Sequence, residues 1–360
     1  HASYRRQRQM CIRDRYILNY SITNEFFMKK FIVPLLALIA LPASIQANID
    51  HEFAEKCIKL QESIGCFKKA SGPKKISLSN ESMLDQAKKS LASGDSAGAL
   101  SKVNVFLNEN KDSKEGYLLR ALINEWDYEN MNQALLDLNR AIELDNKYAD
   151  AYALRGQHFY WQLSNKTAAE KDLSRALELS PNSLLANYLM GEILYDIADA
   201  QYEKNLLEQA FETGSEALSY FGMVLSSKNS EPDYILKRIF PFGITYDTYA
   251  QLGDINFSGY SLLKELKERK KSKAYLENSI DNFSKAIQIA PLQEDVEKME
   301  LDRDFDYWGL DELYLQRANA YSWKEKWRDA CKDWKISKNM GNKESQTSFR
   351  QNCKADGYYR

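Results

Sequence analysis

Small residues recur along this chain in pairs, at a spacing that two close-packed helices joined by a turn account for. The pairs are Ala87/Ala99, Ala121/Ala134, Gly156/Ala169, Gly191/Ala217, Gly253/Ser279 and Ala318/Ala330. Their members lie 12 residues apart in the first and last pairs, 13 in the second and third, and 26 in the fourth and fifth. A small side chain on each helix lets the two backbones approach. A large residue follows four positions after the second small one, one helical turn further along. A helix-stopping residue such as Pro181 then closes the unit.

Three stretches carry the likeness between units. Ala151-Tyr152-Ala153-Leu154-Arg155-Gly156 leads to Ala169, Leu173, Ala176 and Pro181. Thirty-five residues on stands Ala186-Asn187-Tyr188-Leu189-Met190-Gly191, and Tyr314-Leu315-Gln316-Arg317-Ala318 leads to Tyr321, Ala330 and Trp334. This pattern resembles the tetratricopeptide repeat, a helix-turn-helix unit of about 34 residues. The resemblance implies an all-α superhelical solenoid of about six units across residues 81–343, and partner binding as the class of function.

The 26-residue spacing has a physical reading of its own. Fourteen extra residues divide into seven per helix, nearly two turns, so a hairpin lengthens while its buried face keeps its direction. Units four and five are therefore expected to have elongated hairpins, each helix reaching about 10 Å further, and to stand together as a ridge. Arg precedes the first small residue in three units (Arg120, Arg155, Arg317), and the same three carry Asp137, Asp172 and Asp333 three places after the second. Pairing within each hairpin explains the coincidence. As exposed pairs worth about 0–1 kcal/mol, they are expected to guide register more than to hold the fold.

The N-terminus follows a different logic. Residues 5–15, Arg-Arg-Gln-Arg-Gln-Met-Cys-Ile-Arg-Asp-Arg, resemble a translated sequencing-library adapter, so residues 1–27 are set aside as upstream sequence. From Met28, the basic Lys29-Lys30, an apolar run from Phe31 to Leu41 and a small-residue end at Ala47 match a secretory signal peptide over 28–47. The expectation is an exported, periplasmic or secreted bacterial protein. Residues 48–69 read as an N-terminal helical cap, 70–80 as a linker, and 344–360 as a C-terminal capping helix and tail. Without residues 1–47 the formal charge moves from −2 for the whole chain to about −7, which does not point to nucleic acid. Cys57, Cys66, Cys331 and Cys353 remain, an even number that favours disulfides in an oxidising compartment. Of three possible pairings, the local ones, Cys57 with Cys66 and Cys331 with Cys353, are preferred.

Catalytic and metal signatures are weak. His51 and His158 lie near no further ligand set, and no phosphate loop, nucleophile elbow or Cys-x-x-Cys pair occurs. Asp302-x-Asp304-x-Asp306 opens like a calcium loop, but Tyr307 replaces the required glycine and Leu313 holds the twelfth position. It reads as a solvated acidic connector. His158 reads as an ordinary helix residue. No cofactor or metal is expected.

The resemblance places ligand contacts on the outward positions of the first helices. These are Ala153, Gln157, Tyr160 and Trp161 in unit three, Tyr188, Glu192, Tyr195 and Asp196 in unit four, and Asn319, Ser322 and Trp323 in the last. The Lys/Asn clamp that some relatives use for a terminal carboxylate is missing. The aromatic and acidic set suits a basic or apolar peptide. The expected function is a non-catalytic interaction module that binds a protein segment in its concave groove, with no nucleic-acid partner and no stable membrane insertion. A second reading is a structural or assembly component of a cell-envelope complex docking through the long hairpins. A third is an envelope hydrolase with an unrecognised site. Whether the groove is open or filled by the chain's own connector, residues 226–248, is left open.

Overall fold

The computed structural model describes residues 82–127, 130–227, 233–303 and 308–354. Those residues form α-helices and their connections, with no strand among them. The adapter-like run, the signal segment, the Cys57/Cys66 pair, His51 and residues 304–307 lie outside them.

Twelve of the helices pack as six successive hairpins. These are α1 (Met83–Ala92) with α2 (Ser96–Glu109), α3 (Lys114–Asp127) with α4 (Met131–Leu144), and α5 (Ala149–Gln157) with α6 (Lys166–Leu179). Then come α7 (Leu184–Glu203) with α8 (Leu207–Ser226), α10 (Ile244–Glu265) with α11 (Arg269–Ile289), and α13 (Leu310–Trp323) with α14 (Trp327–Asn339). Each hairpin contains one of the six small-residue pairs. Three helices stand outside the pattern: α9 (Asp233–Ile239), α12 (Gln293–Arg303) and α15 (Lys343–Asn352). The expected acidic connector is thus partly helical, with Val296 of α12 buried.

The turns and caps are local and repetitive. Asp95, Asn130 and Asn165, spaced by 35 residues, accept the backbone N–H groups of Gly98, Gln133 and Ala168 and so start α2, α4 and α6. Five of the hairpin turns each contain one left-handed residue. Gly94 supplies it at φ 83°, whereas Ser164, Asn205, Lys267 and Glu325 adopt φ 51–63° without being glycine.

Packing explains why the small residues recur. Ala87, Ala99, Ala134, Ala169, Ala217, Ala318 and Ala330 have no exposed surface. The large residue one turn after the second small one fills the space opposite the first. A Cβ added to Gly191 would lie 2.7 Å from the Phe221 ring, and one on Gly253 would lie 2.6 Å from Phe283. Ser279 closes the fifth pair with a 2.8 Å hydrogen bond from its hydroxyl to the Gly253 carbonyl.

The elongated hairpins are present. Both α8 and α11 reach their small residue ten positions after they begin (Leu207 to Ala217, Arg269 to Ser279), where α2, α4, α6 and α14 take three. The added seven residues extend the turn end by about 10 Å. Along the extension the two hairpins touch, with Phe211 against Tyr275 and the Tyr202 hydroxyl donating to Glu265.

The Arg–Asp pairs form where expected, but their setting differs from the exposed pairs foreseen. Each is a fork: Arg155 Nε and Nη2 donate to Asp172 at 2.6 and 2.8 Å, and Arg120–Asp137 and Arg317–Asp333 repeat the geometry. The aspartate side chains are only 3–7% exposed. The third guanidinium nitrogen reaches back to the preceding hairpin, from Arg120 to Asn104, from Arg155 to Asn139 and from Arg317 to Ser284. Tyr117, Tyr152 and Tyr314, one turn before each arginine, lie beneath its charge. A buried, bidentate pair that also ties two hairpins holds the fold, because removing one partner strands a desolvated charge.

Candidate functional site

The first helices of the hairpins line one wall, and the residues foreseen as ligand contacts on units three and four do converge there. The tyrosines among them are buried. Tyr160, Tyr188 and Tyr195 are 8%, 4% and 3% exposed. Their polar atoms are engaged within the chain: Tyr160 donates to Asp196 at 2.8 Å, and Tyr195 donates to Asp254 at 3.1 Å with Ser258 at 2.8 Å. Trp161 Nε1 donates to Glu192 at 3.1 Å. Asp196 also pairs with Lys166 at 2.8 Å.

These bonds run between neighbouring hairpins. Glu192 of α7 receives Trp161 from the third hairpin and Gln251 Nε2, at 3.2 Å, from the fifth. Asp254 of α10 receives Tyr195 of α7. A carboxylate hydrogen-bonded from two sides is stabilised where a bare one would be costly to bury, so these polar residues act as joints of the array.

The space in front of the aromatic patch is occupied by the connector. Helix α9 lies against α1 and α3, with Ile235, Leu236 and Ile239 buried. Phe240, which follows it, inserts between Tyr188 and Trp161, with ring centroids 4.8 and 6.4 Å away. Lys88 of α1 sits over the Tyr234 ring. Gly243, at φ 96°, then turns the chain into α10. Of the segment 226–248, the described residues from α9 to Phe240 thus lie against this wall.

Asn319 and Trp323 do not join this group. Asn319 accepts from Trp334 Nε1 within its own hairpin. Trp323 is 51% exposed and lies beside Tyr260 and under Lys264, whose Nζ is 4.2 Å from the ring centroid.

Three features of the site were not foreseen. A π-helical turn over His158–Gln162 carries Tyr160 and Trp161, so α5 changes pitch where it presents them. His158, expected as an ordinary helix residue, opens that turn. It is 1% exposed, with Nδ1 3.4 Å from Glu125, and Glu125 accepts a hydrogen bond from Gln157 at 2.9 Å. Glu125 and Trp126 stand 35 residues before Tyr160 and Trp161, so the register that selected the later pair also selects them. Trp126 meets Trp161 edge to face at 6.0 Å. The third feature is Asp247 of α10, whose carboxyl is pushed up to about 8 by burial and by the nearby Glu192.

Among the described residues no group of three or more His, Cys, Asp or Glu side chains is set to hold a metal ion. Among them, too, no helix is long and apolar enough to cross a membrane. Cys331 and Cys353 are joined, with Cα atoms 5.8 Å apart, and fasten the end of α15 to α14.

Neither a protein-family model nor a curated protein matches the sequence. Solved structures of similar architecture include MamA (19% identical, covering 56% of this chain and 96% of that one, TM-score 0.37). PilW, described as a widely conserved type IV pilus biogenesis factor, is 13% identical and covers 74% of this chain and 96% of that one, with a TM-score of 0.45. YrrB, described as a TPR protein with an unusual peptide-binding site, is 14% identical, covering 69% and 97%, with a TM-score of 0.39. The fold assignment rests on the chain's own hairpins rather than on these likenesses. By that geometry the described residues form an all-α solenoid of helical hairpins, the architecture that the tetratricopeptide resemblance implies.

Proposed function

We propose that the protein is a non-catalytic interaction module, exported to the periplasm, that takes a segment of a partner protein along its first helices. The observation that carries this reading is the helix already lying there. The wall accommodates a short apolar helix whose Ile235, Leu236, Ile239 and Phe240 are buried, so its shape and chemistry suit a segment of that kind. A partner segment would take the place of the connector and meet Trp161, Tyr188 and Glu192, with Tyr160, Tyr195 and Asp196 supporting the wall from behind. The Cys331–Cys353 bond accords with an oxidising compartment. The test is cross-linking in living cells with the full chain and with Trp161→Ala, whose side chain is only partly buried. Loss of the cross-linked partner with unchanged helical content supports groove binding. An unchanged partner profile refutes it.

A second reading, docking into a cell-envelope complex through the long hairpins, is favoured by a separate observation. The turn ends of α7, α8, α10 and α11 extend beyond the other hairpins and carry exposed Tyr202 and Leu206. Shortening each of these four helices by seven residues restores the common hairpin length. It should abolish docking of this kind and leave groove binding intact.

A further inference from the structure

The turn end of the fifth hairpin differs in charge from the rest of the molecule. Between Lys264 and Lys273 there are six basic residues against two acidic ones, in a chain whose formal net charge is −2. Lys264, Lys267, Arg269, Lys270, Lys271 and Lys273 are all exposed. Lys271 approaches Glu268 at 3.8 Å, while Lys267, Arg269 and Lys270 make no ion pair with the described residues.

Large apolar side chains flank these cations. On one side stand Tyr202 and Leu206 of the fourth hairpin, 43% and 41% exposed, connected to this tip by the Tyr202–Glu265 hydrogen bond. On the other is Trp323, 51% exposed and capped by the Lys264 ammonium. Exposed rings and aliphatic groups are unfavourable in water, and clustered cations repel one another. An interface of anionic headgroups over acyl chains relieves both at once, with Trp and Tyr at headgroup depth and lysine stems extended toward the phosphates. The tip is the turn end of an extended hairpin, which suits a broad anionic surface better than an enclosed acidic peptide.

We infer that the turn end of the long hairpins is a peripheral docking surface for a membrane leaflet rich in anionic phospholipid. Lys267, Arg269, Lys270 and Lys273 meet the headgroups, and Trp323, Tyr202 and Leu206 rest at the interface. This role is independent of the groove.

The test is co-sedimentation of the full chain with phosphatidylcholine vesicles, with and without phosphatidylglycerol. The comparison is with Lys267→Glu/Arg269→Glu/Lys270→Glu/Lys273→Glu, so any contribution of the N-terminal arginines is common to both proteins. Binding should require phosphatidylglycerol, weaken with added salt, and fall roughly 100-fold or more in the variant. Trp323→Ala, in a side chain half exposed, should weaken vesicle binding without removing its dependence on phosphatidylglycerol. Equal binding to both vesicle types, equal binding by the charge variant, or binding to soluble polyglutamate but not to vesicles would each overturn the proposal. The last would assign the patch to an acidic protein instead. Circular dichroism of the charge variant, whose changes are all at exposed positions, confirms that it is folded.

Discussion

Replacing Asp247 with Asn should stabilise the protein at neutral pH and leave its stability unchanged near pH 4. Asp247 lies in the first turn of α10, 7% exposed, with Glu192 of α7 close enough to oppose its charge. A helix N-terminus ordinarily favours a carboxylate. Here burial and the like charge outweigh that preference and push the carboxyl up to about 8. An unfolded aspartate titrates near ~3.9. Between these values the folded chain keeps a proton that the unfolded chain releases, so stability falls as pH rises across the window. At about 1.4 kcal/mol per unit, the accumulated cost by pH 7 is of order 4 kcal/mol, less whatever local rearrangement relieves. Asparagine has the same shape and no proton to lose. Urea unfolding followed by tryptophan fluorescence at a series of pH values measures the difference between the two proteins. It should open from near zero at pH 4 to several kcal/mol at pH 7 and level off above about pH 8. A difference that does not change with pH, or a variant less stable than the parent at pH 7, would refute the assignment of a buried, protonated carboxyl.

Arg155→Met should cost about 3–5 kcal/mol by stranding the Asp172 carboxylate, 6% exposed, while Arg155→Met/Asp172→Leu recovers most of the loss. Urea midpoints of the single and double variants decide this, and equal losses would count against the pair. Glu325→Gly, at φ 60° in the last turn, should raise thermal stability by about 1 kcal/mol through relief of left-handed strain. A lower melting temperature would mean the Glu325 side chain supplies more than its backbone costs. Cys353→Ser opens a link of sequence separation 22 and should cost about 3 kcal/mol. Hydrogen exchange should show the loss first in α15, and reduction of the parent should reproduce it.

The hairpins were legible because their signal is local and repeated. Ala87/Ala99 and its five counterparts report close backbone approach, and the 26-residue spacing of Gly191/Ala217 and Gly253/Ser279 translates into helix length through the rise per residue alone. The Arg–Asp pairs were legible as partners. Their depth was not, because Asn104 and Asn139, which take the third guanidinium bond, belong to the preceding unit. The candidate site was legible as a place rather than as a surface. Helical register brought Trp161, Tyr188 and Glu192 to one wall, yet register says nothing about what covers it. The cover is α9, seven residues bounded by Pro232 and Pro241. A segment so short has little helical tendency alone and is held by burial of Ile235 and Ile239, a tertiary effect invisible to local pattern. Trp323 was grouped with the groove by analogy of position. The long fifth hairpin beside it changes its neighbours to Tyr260 and Lys264.

The seating of α9 also bears on how the chain folds. An array in which each unit meets only its neighbours can start folding anywhere, spread along the chain and fray from its ends. Here the segment after the fourth hairpin returns to the first, with Tyr234 against Lys88 roughly 150 residues earlier. The first four hairpins are thereby closed into one cooperative block, slow to form because a long loop must close, and slow to unravel from the N-terminal side because α1 is held by a helix that arrives last.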